Sequence, residues 1–232
     1  MSAQKTVIIT GASGGLGTAV TKTFLQKGYR VIAIVGSEKS KSTLDKHDAL
    51  DVQVVDLGNE QQAGDFVKTA IERYGKIDAA LLLAGGFAMG GISETNGEDI
   101  RKQLSINFDT AYFITHPLFD HMLANNNGRI VFIGARPALQ AAQGKNLVAY
   151  SLSKSLLFRL AEYINETAKG KNVTATVVVP STIDTAVNRQ SMPDANFSNW
   201  VQPEALAEII EFAIGEHGQS LREPVLKVYN NA

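Results

Sequence analysis

The sequence predicts an α/β fold: a doubly wound parallel sheet of about seven strands with helices on both faces. Three observations predict it. Short runs rich in Val and Ile recur along the chain, apolar at successive rather than alternate positions. Such runs suit strands covered on both sides. The segments between them carry apolar residues at helical spacing, so strand and helix alternate. The first run also passes through a glycine-rich turn directly into a helical pattern.

In chain order the runs are TVIIT at 6–10, RVIAIV at 30–35, DVQVVD at 51–56, IDAALLLA at 77–84, GRIVFIG at 128–134, VTATVVVP at 173–180 and PVLKVY at 224–229. All read as buried strands. Ala19, Val20, Phe24 and Leu25 form a helical stripe after the first. Phe66, Val67, Ala70, Ile71 and Tyr74 form one after the third, and Leu152, Leu156, Leu157, Leu160 and Ile164 one after the fifth. Each stripe is expected to face the sheet. Gly28 and Gly75 close helical stretches, where a left-handed cap is often needed. Asn125 to Gly128 makes a polar break before the fifth strand, and Pro203 with Glu204 suits a helix start. The polar stretch at about 182–200 is expected to be a surface loop or a flexible helical segment that meets substrate. No linker, repeat or low-complexity tract divides the chain, so residues 1–232 read as one domain.

Composition narrows the function. The net charge is −1, without a basic or acidic tail, which argues against nucleic acid as a partner. Cysteine is absent, so disulfides and thiolate chemistry are excluded. No apolar run approaches the roughly 20 residues of a membrane helix, and the N-terminal apolar stretch is too short for a signal-peptide core. A cytoplasmic protein without a membrane partner is expected. His47, His116, His121 and His217 show no metal-ligand spacing, and no metal is expected.

Two motifs carry chemistry. The first is Thr10-Gly11-Ala12-Ser13-Gly14-Gly15-Leu16-Gly17, between the first strand and its helix. Glycines there permit positive φ and close backbone approach, and N–H groups at the helix start can receive a pyrophosphate. The second is Tyr150-Ser151-Leu152-Ser153-Lys154. Residues i and i+4 share a helix face, so phenol and ammonium can act on one site. A free tyrosine titrates near ~10, and a neighbouring cation is expected to lower that value toward the working range. Tyr150 could then act as a proton donor.

Together, TGxxxGxG and YxxxK at this separation resemble the short-chain dehydrogenase/reductase family over nearly the whole chain. The resemblance implies a Rossmann-type fold, a nicotinamide dinucleotide cofactor and a homodimer or homotetramer. It implies that Gly11, Ser13, Gly14, Gly15, Leu16 and Gly17 hold the pyrophosphate. Asp56, with Leu57 beside it, matches the Asp that contacts adenine. Ala84-Gly85 matches half of the NNAG motif, with Leu82 and Leu83 in place of the asparagines. Asn107, Tyr150 and Lys154 match the catalytic set, Lys154 also holding the nicotinamide ribose. Pro180 to Thr185 resembles the carboxamide-binding segment, Ile183 offering backbone groups and Thr185 a hydroxyl. One member departs: Ala135 stands where the family usually places a catalytic Ser after the fifth strand. Gln143, Asn146 and Thr182 are candidate substitutes for the lost hydroxyl.

The dihydropteridine reductases of this family keep Tyr and Lys but lack that Ser. Ala84 to Gly90, AGGFAMG, is similar to their AGGW segment, with Phe87 for the Trp. Gly134 to Leu139, GARPAL, is similar to their GAKAAL. Val179 to Trp200, VPSTIDTAVNRQSMPDANFSNW, is nearly theirs. Two features depart from them. Asn107 is present, and Val35 ends the second strand where NADH-using members carry an Asp for the adenosine ribose. Val35 would not repel a 2′-phosphate, and Ser37, Lys39 and Lys41 follow to meet one. NADP(H) is therefore favoured over NAD(H). The expected activity is hydride transfer to a small planar imine-like substrate such as quinonoid dihydropterin. Phe87, Ala135 and Tyr150 would face that substrate, with Trp200 anchoring the 182–200 segment. The alternatives are a ketone or aldehyde reductase (or alcohol dehydrogenase) and a non-catalytic dinucleotide sensor or scaffold.

Overall fold

The computed structural model describes residues 4–221 and 225–231. Among these, seven strands form one sheet: β1 (Thr6–Thr10), β2 (Arg30–Val35), β3 (Leu50–Val54), β4 (Ala79–Leu82), β5 (Gly128–Ile133), β6 (Val173–Pro180) and β7 (Val225–Val228). Their order is β3-β2-β1-β4-β5-β6-β7, and every pairing is parallel. Strand order reverses between β1 and β4. Open α/β sheets hold ligands at such a switch point, outside the C-terminal strand ends.

The helices are α1 (Gly15–Gln26), α2 (Glu38–Lys41), α3 (Glu60–Tyr74), α4 (Gly97–Leu104), α5 (Thr110–Ala124), α6 (Arg136–Leu139), α7 (Ala141–Gly144), α8 (Val148–Thr167), α9 (Ala186–Ser191) and α10 (Pro203–Ile214). A π-helical turn, Ser105–Asp109, joins α4 to α5. Side chains alternate faces along each strand, which splits the core in two. Ile8 of β1 packs with Val67 of α3, Ile114 of α5 and Leu157 of α8. Its neighbours Val7 and Ile9 pack with Val20 and Phe24 of α1 and with Leu206 and Ile210 of α10. Both faces are therefore dry, which explains the unbroken apolar runs.

The expected punctuation is present. Gly28 and Gly75 take φ of +82° and +73°. Past α1 the N–H of Tyr29 reaches back to the Phe24 carbonyl at 3.0 Å. Pro203 opens α10, where a missing N–H costs nothing.

Three expectations need correction. β3 is only half-buried, because it is the sheet edge and has one neighbour. β7, at the other edge, is likewise half-buried, and Pro224, expected to begin it, lies outside the described residues. Leu152 and Leu156 are 52% and 39% exposed. The face α8 buries is Ala149, Ser153, Lys154, Leu157, Phe158, Ala161 and Ile164. α8 is apolar around a wider arc than the sheet covers, so its periodicity did not identify the buried side.

Candidate active site

The glycine turn is built by steric exclusion. Gly11 has φ +64°, and a Cβ there would lie 3.0 Å from the Ala84 backbone. A Cβ on Gly17 would run into the Gly11 carbonyl oxygen, so α1 crosses β1 only because both residues lack side chains. A Cβ on Gly15 would stand 2.7 Å from Cγ2 of Thr185. Gly14 precedes α1 without a side-chain cap, and the first turn holds no acidic residue. The first helical bond is from the Thr18 N–H to the Gly14 carbonyl, at 2.9 Å. The N–H groups of Gly15, Leu16 and Gly17 therefore have no intrahelical acceptor. Ser13 lies in the turn and Leu16 in the first turn of α1.

From this turn a cleft of about 460 Å³ runs beside the ends of β2 and β3. Gly11, Val35, Asp56, Leu57 and Ala84 line it. Asp56 accepts the Gly58 N–H at 3.0 Å, which fixes the carboxylate at the rim. Ser37 is not in the lining. Its hydroxyl caps α2 by accepting the Ser40 N–H at 3.1 Å. Lys39 and Lys41 are exposed on α2. The lining also includes Gly36, Ser105, Ile106 and Thr110, which the sequence did not single out. Gly36 directly follows a strand end and could have been read as a close-approach glycine. The other three come from the π turn and the start of α5, and only the topology brings them across.

Tyr150 and Lys154 lie on the first turns of α8. Lys154 is buried and donates to the Ile133 carbonyl at 2.9 Å. A Cβ on Gly85 would be 3.1 Å from Lys154 Nζ and 2.6 Å from Asn107 Oδ1, so Gly85 leaves the room both side chains occupy. Asn107, in the π turn, is tied in fully. Its Oδ1 accepts the Gly86 N–H at 2.9 Å, and the two hydrogens of its Nδ2 are shared among Gly86 O, Gln103 Oε1 and Ser153 Oγ at 3.1, 3.0 and 3.1 Å. Ser153 in turn donates to the Tyr150 carbonyl at 2.8 Å. π turns are frequent at functional sites, and this one carries Asn107 inward.

The electrostatics correct one expectation. The cation was expected to lower the phenol's pKa. Burial instead pushes Tyr150 up to about 12 and brings Lys154 down to about 8. Both groups sit where charge is poorly solvated, and the ammonium is bonded to a backbone carbonyl rather than to the phenol.

On the open side, the Phe87 ring meets the Tyr150 ring edge-on, with centroids 5.1 Å apart. Phe87 is 63% exposed, so one side of it is available to a ligand. Ala135 is buried just before α6 and offers no donor side chain. Of the candidate substitutes, Gln143 is engaged with Arg136 once its amide is oriented to satisfy both groups. The Asn146 carbonyl accepts the Gly90 N–H, and the Thr182 carbonyl accepts the Val201 N–H. Neither backbone bond commits the side chain.

Pro180 ends β6. The Ile183 carbonyl accepts from Thr185 N–H and Asn188 Nδ2, at 2.9 and 2.8 Å. Thr185 Oγ1 caps α9 by accepting the Asn188 N–H at 3.2 Å, which leaves the hydroxyl proton free to donate. Beyond it the 182–200 segment forms α9 and a 3-10 turn, Phe197–Asn199. Trp200 is buried, and its carbonyl accepts from Asn230 at 3.0 Å.

A parallel sheet whose first glycine turn faces a Tyr–Lys helix across the switch point defines a class of α/β oxidoreductases. The chain belongs to the short chain dehydrogenase family, whose profile matches residues 5–196. It is similar to acetoacetyl-CoA reductase of Acinetobacter sp. (strain RA3849), at 26% identity over 98% of this chain and 97% of the relative. It is also similar to dihydropteridine reductase of Dictyostelium discoideum, at 28% identity over 88% of this chain and 85% of the relative. Among solved structures, 3-ketoacyl-(acyl-carrier-protein) reductase of Brucella melitensis, complexed with NADH, shares the fold with a TM-score of 0.85. Identity there is 20%, covering 97% of this chain and 96% of that one. No helix among the described residues is long and apolar enough to cross a membrane.

Proposed function

We propose that the protein reduces a small planar imine-like heterocycle of the dihydropterin class, with NADPH as hydride donor. The observation that carries this reading is a pair of features: Ala135 offers no donor side chain, and the exposed Phe87 ring packs edge-on against Tyr150. A carbonyl reductase uses a donor at position 135 to hold the substrate oxygen, and removing such a donor costs roughly 3 kcal/mol of transition-state stabilisation. A ring nitrogen that receives its proton from Tyr150 needs no such donor. The exposed Phe87 face offers a flat ring stacking worth about 0.5–1.5 kcal/mol. The likeness to a dihydropteridine reductase agrees with this choice.

The residues fit a nicotinamide dinucleotide. The side-chain-free turn of Gly11, Gly15 and Gly17 and the open N–H groups of α1 suit a pyrophosphate. Asp56 and Leu57 would hold the adenine, and Lys39 and Lys41 beside Ser37 would meet a 2′-phosphate that Val35 does not repel. Ala84, Gly85, Pro180, Ile183 and Thr185 would bound the nicotinamide end, and Lys154 would hold its ribose. Bound and reduced, the cofactor supplies the hydride. Tyr150, kept protonated by burial, donates the proton. Asn107 fixes the Gly86 backbone and, through Ser153, the first turn of α8.

The test is steady-state oxidation of NADPH and NADH with freshly prepared quinonoid dihydropterin, beside a panel of ketones and aldehydes. Turnover no better than buffer for the pterin removes this reading. A second reading, an ordinary carbonyl reductase, draws on the acetoacetyl-CoA reductase likeness and on Asn107. We also propose that copies pair through α5 and α8, where Tyr112, Leu152, Leu156 and Tyr163 are exposed.

A further inference from the structure

The segment after β6 is closed at its base by a backbone bridge between Ile183 and Val201 and by one buried carboxylate. Asp184 is the residue between Ile183 and Thr185, and its side chain is 3% exposed. Its Oδ1 accepts from Arg189 Nε, and its Oδ2 accepts from Arg189 Nη2 and from Gln202 Nε2, both at 2.8 Å. Its own N–H donates to the Val201 carbonyl at 2.8 Å. Arg189 lies on α9 and Gln202 just beyond the 3-10 turn, so one side chain holds both ends of the segment. The closure continues outward. The Arg189 guanidinium lies 4.7 Å from the centre of the Phe197 ring, and Phe197 lies 4.7 Å from Trp200. Within residues 186–200, Trp200 is the one buried residue, at 6%.

Position in the fold gives this cluster its meaning. The residue next to Asp184, Thr185, rests its methyl group against Gly15 of the pyrophosphate turn. Any displacement of the 183–185 step therefore moves both the segment and a wall of the glycine turn. A planar fork on a carboxylate has a fixed geometry that a single ammonium does not reproduce.

We propose that Asp184 is a positioning residue: with Arg189 it locks the 186–200 segment in register with the glycine turn, so that the segment forms one wall of the substrate site. The inference rests on the reading that substrate meets the reduced nicotinamide beside Tyr150. Asp184 touches no reacting atom in it.

Trp200 is the only tryptophan in the chain, so its emission reports the segment directly. The experiment compares wild type with Asp184→Asn, Arg189→Gln and Arg189→Lys, read by Trp emission and acrylamide quenching with and without NADPH, and by steady-state kinetics. Asp184→Asn and Arg189→Gln are expected to red-shift the emission and to raise quenching at least twofold. Both are expected to raise KM for the reducible substrate at least fivefold, with kcat within twofold of wild type. Arg189→Lys should fall between, keeping the charge but losing the fork. If Asp184→Asn does not fold, the two variants at half-exposed Arg189 decide the matter. Unchanged quenching in the variants overturns the proposal, as does increased quenching with an unchanged KM. If wild type turns over no substrate, the fault lies with the proposed activity, and NADPH itself decides. NADPH that lowers Trp quenching in wild type but not in Arg189→Gln supports the lock, and NADPH that binds without altering wild-type quenching overturns it.

Discussion

Lys154 donates its ammonium proton to the Ile133 carbonyl at 2.9 Å, deep inside the C-terminal end of the sheet. The bond joins α8 to the end of β5, one step before the Gly134–Ala135 turn. It holds a cation where solvent does not reach, and that has measurable consequences.

The first concerns stability. Burial brings Lys154 to about 8, below its ordinary 10.5. Below pH 8 the lysine is charged in both folded and unfolded chains, and the folded state bears the whole cost of the buried charge. Between 8 and 10.5 the folded chain releases the proton first, and the cost disappears. The cost at neutral pH is roughly 3 kcal/mol, against about 1 kcal/mol for the bond to Ile133. Lys154→Met is therefore expected to raise the melting temperature at pH 7 by about 4–8 °C while abolishing turnover. The gain should shrink as pH rises past 8. Thermal unfolding across pH 6–10 checks this, and a variant less stable than wild type at pH 7 contradicts it.

The second is the pH profile of reduction. Tyr150, pushed up to about 12, stays protonated over the accessible range. Lys154 loses its charge through about 8. With NADPH as the varied substrate, kcat/KM reports the free enzyme and should be flat from pH 6 to 7.5, falling tenfold per unit above 8. Tyr150→Phe should cut kcat at least a hundredfold and leave the NADPH dissociation constant within threefold. Cofactor fluorescence titration separates the two effects.

Ala135→Ser separates the two proposed activities. On the pterin reading, the new hydroxyl leaves pterin turnover within threefold and adds little with ketones. A ketone rate that rises tenfold or more favours the carbonyl-reductase reading instead.

Gly17→Ala would place a methyl group against the Gly11 carbonyl. Backbone must move to admit it, at an expected cost of about 1–3 kcal/mol. The melting temperature should drop and NADPH binding should be lost beyond detection by titration. An alanine at Gly64, where nothing lies within 4 Å of the added carbon, is the control and should bind normally.

The proposed preference for NADPH is tested at α2. Lys39 and Lys41 are exposed next to Gly36 of the cleft. Replacing both with Glu should weaken NADPH tenfold or more and leave NADH within twofold. Equal weakening of both cofactors would mean that these lysines do not contact the 2′-phosphate.

Much of the fold was legible because its cause is local. The runs at 6–10, 30–35 and 173–180 became β1, β2 and β6 with the same bounds, since strands dry on both faces must be apolar throughout. Gly28, Gly75 and Pro203 stop and start helices through their own backbone chemistry. β3 looked like its neighbours, because an edge position is set by which strands pair and not by composition. Leu152 and Leu156 satisfied the same helical spacing as Leu157 and Ile164, and nothing in the spacing says which arc of an apolar helix the sheet will cover.

The sequence by itself determined the sheet, the glycine turn and the placing of phenol and ammonium on one helix face, because strand pattern, φ freedom and the i, i+4 relation act within a few residues. Tertiary structure decided the sign of the Tyr150 shift, the enclosure of Asn107 by Gly86, Gln103 and Ser153, and the reach of Ser105, Ile106 and Thr110 into the cleft. It also decided that Asp184 would be buried against Arg189 and Gln202. The reason is common to all of these: solvation and long-range contact depend on which distant segments exclude water from a group, and that exists only once the sheet has closed around it.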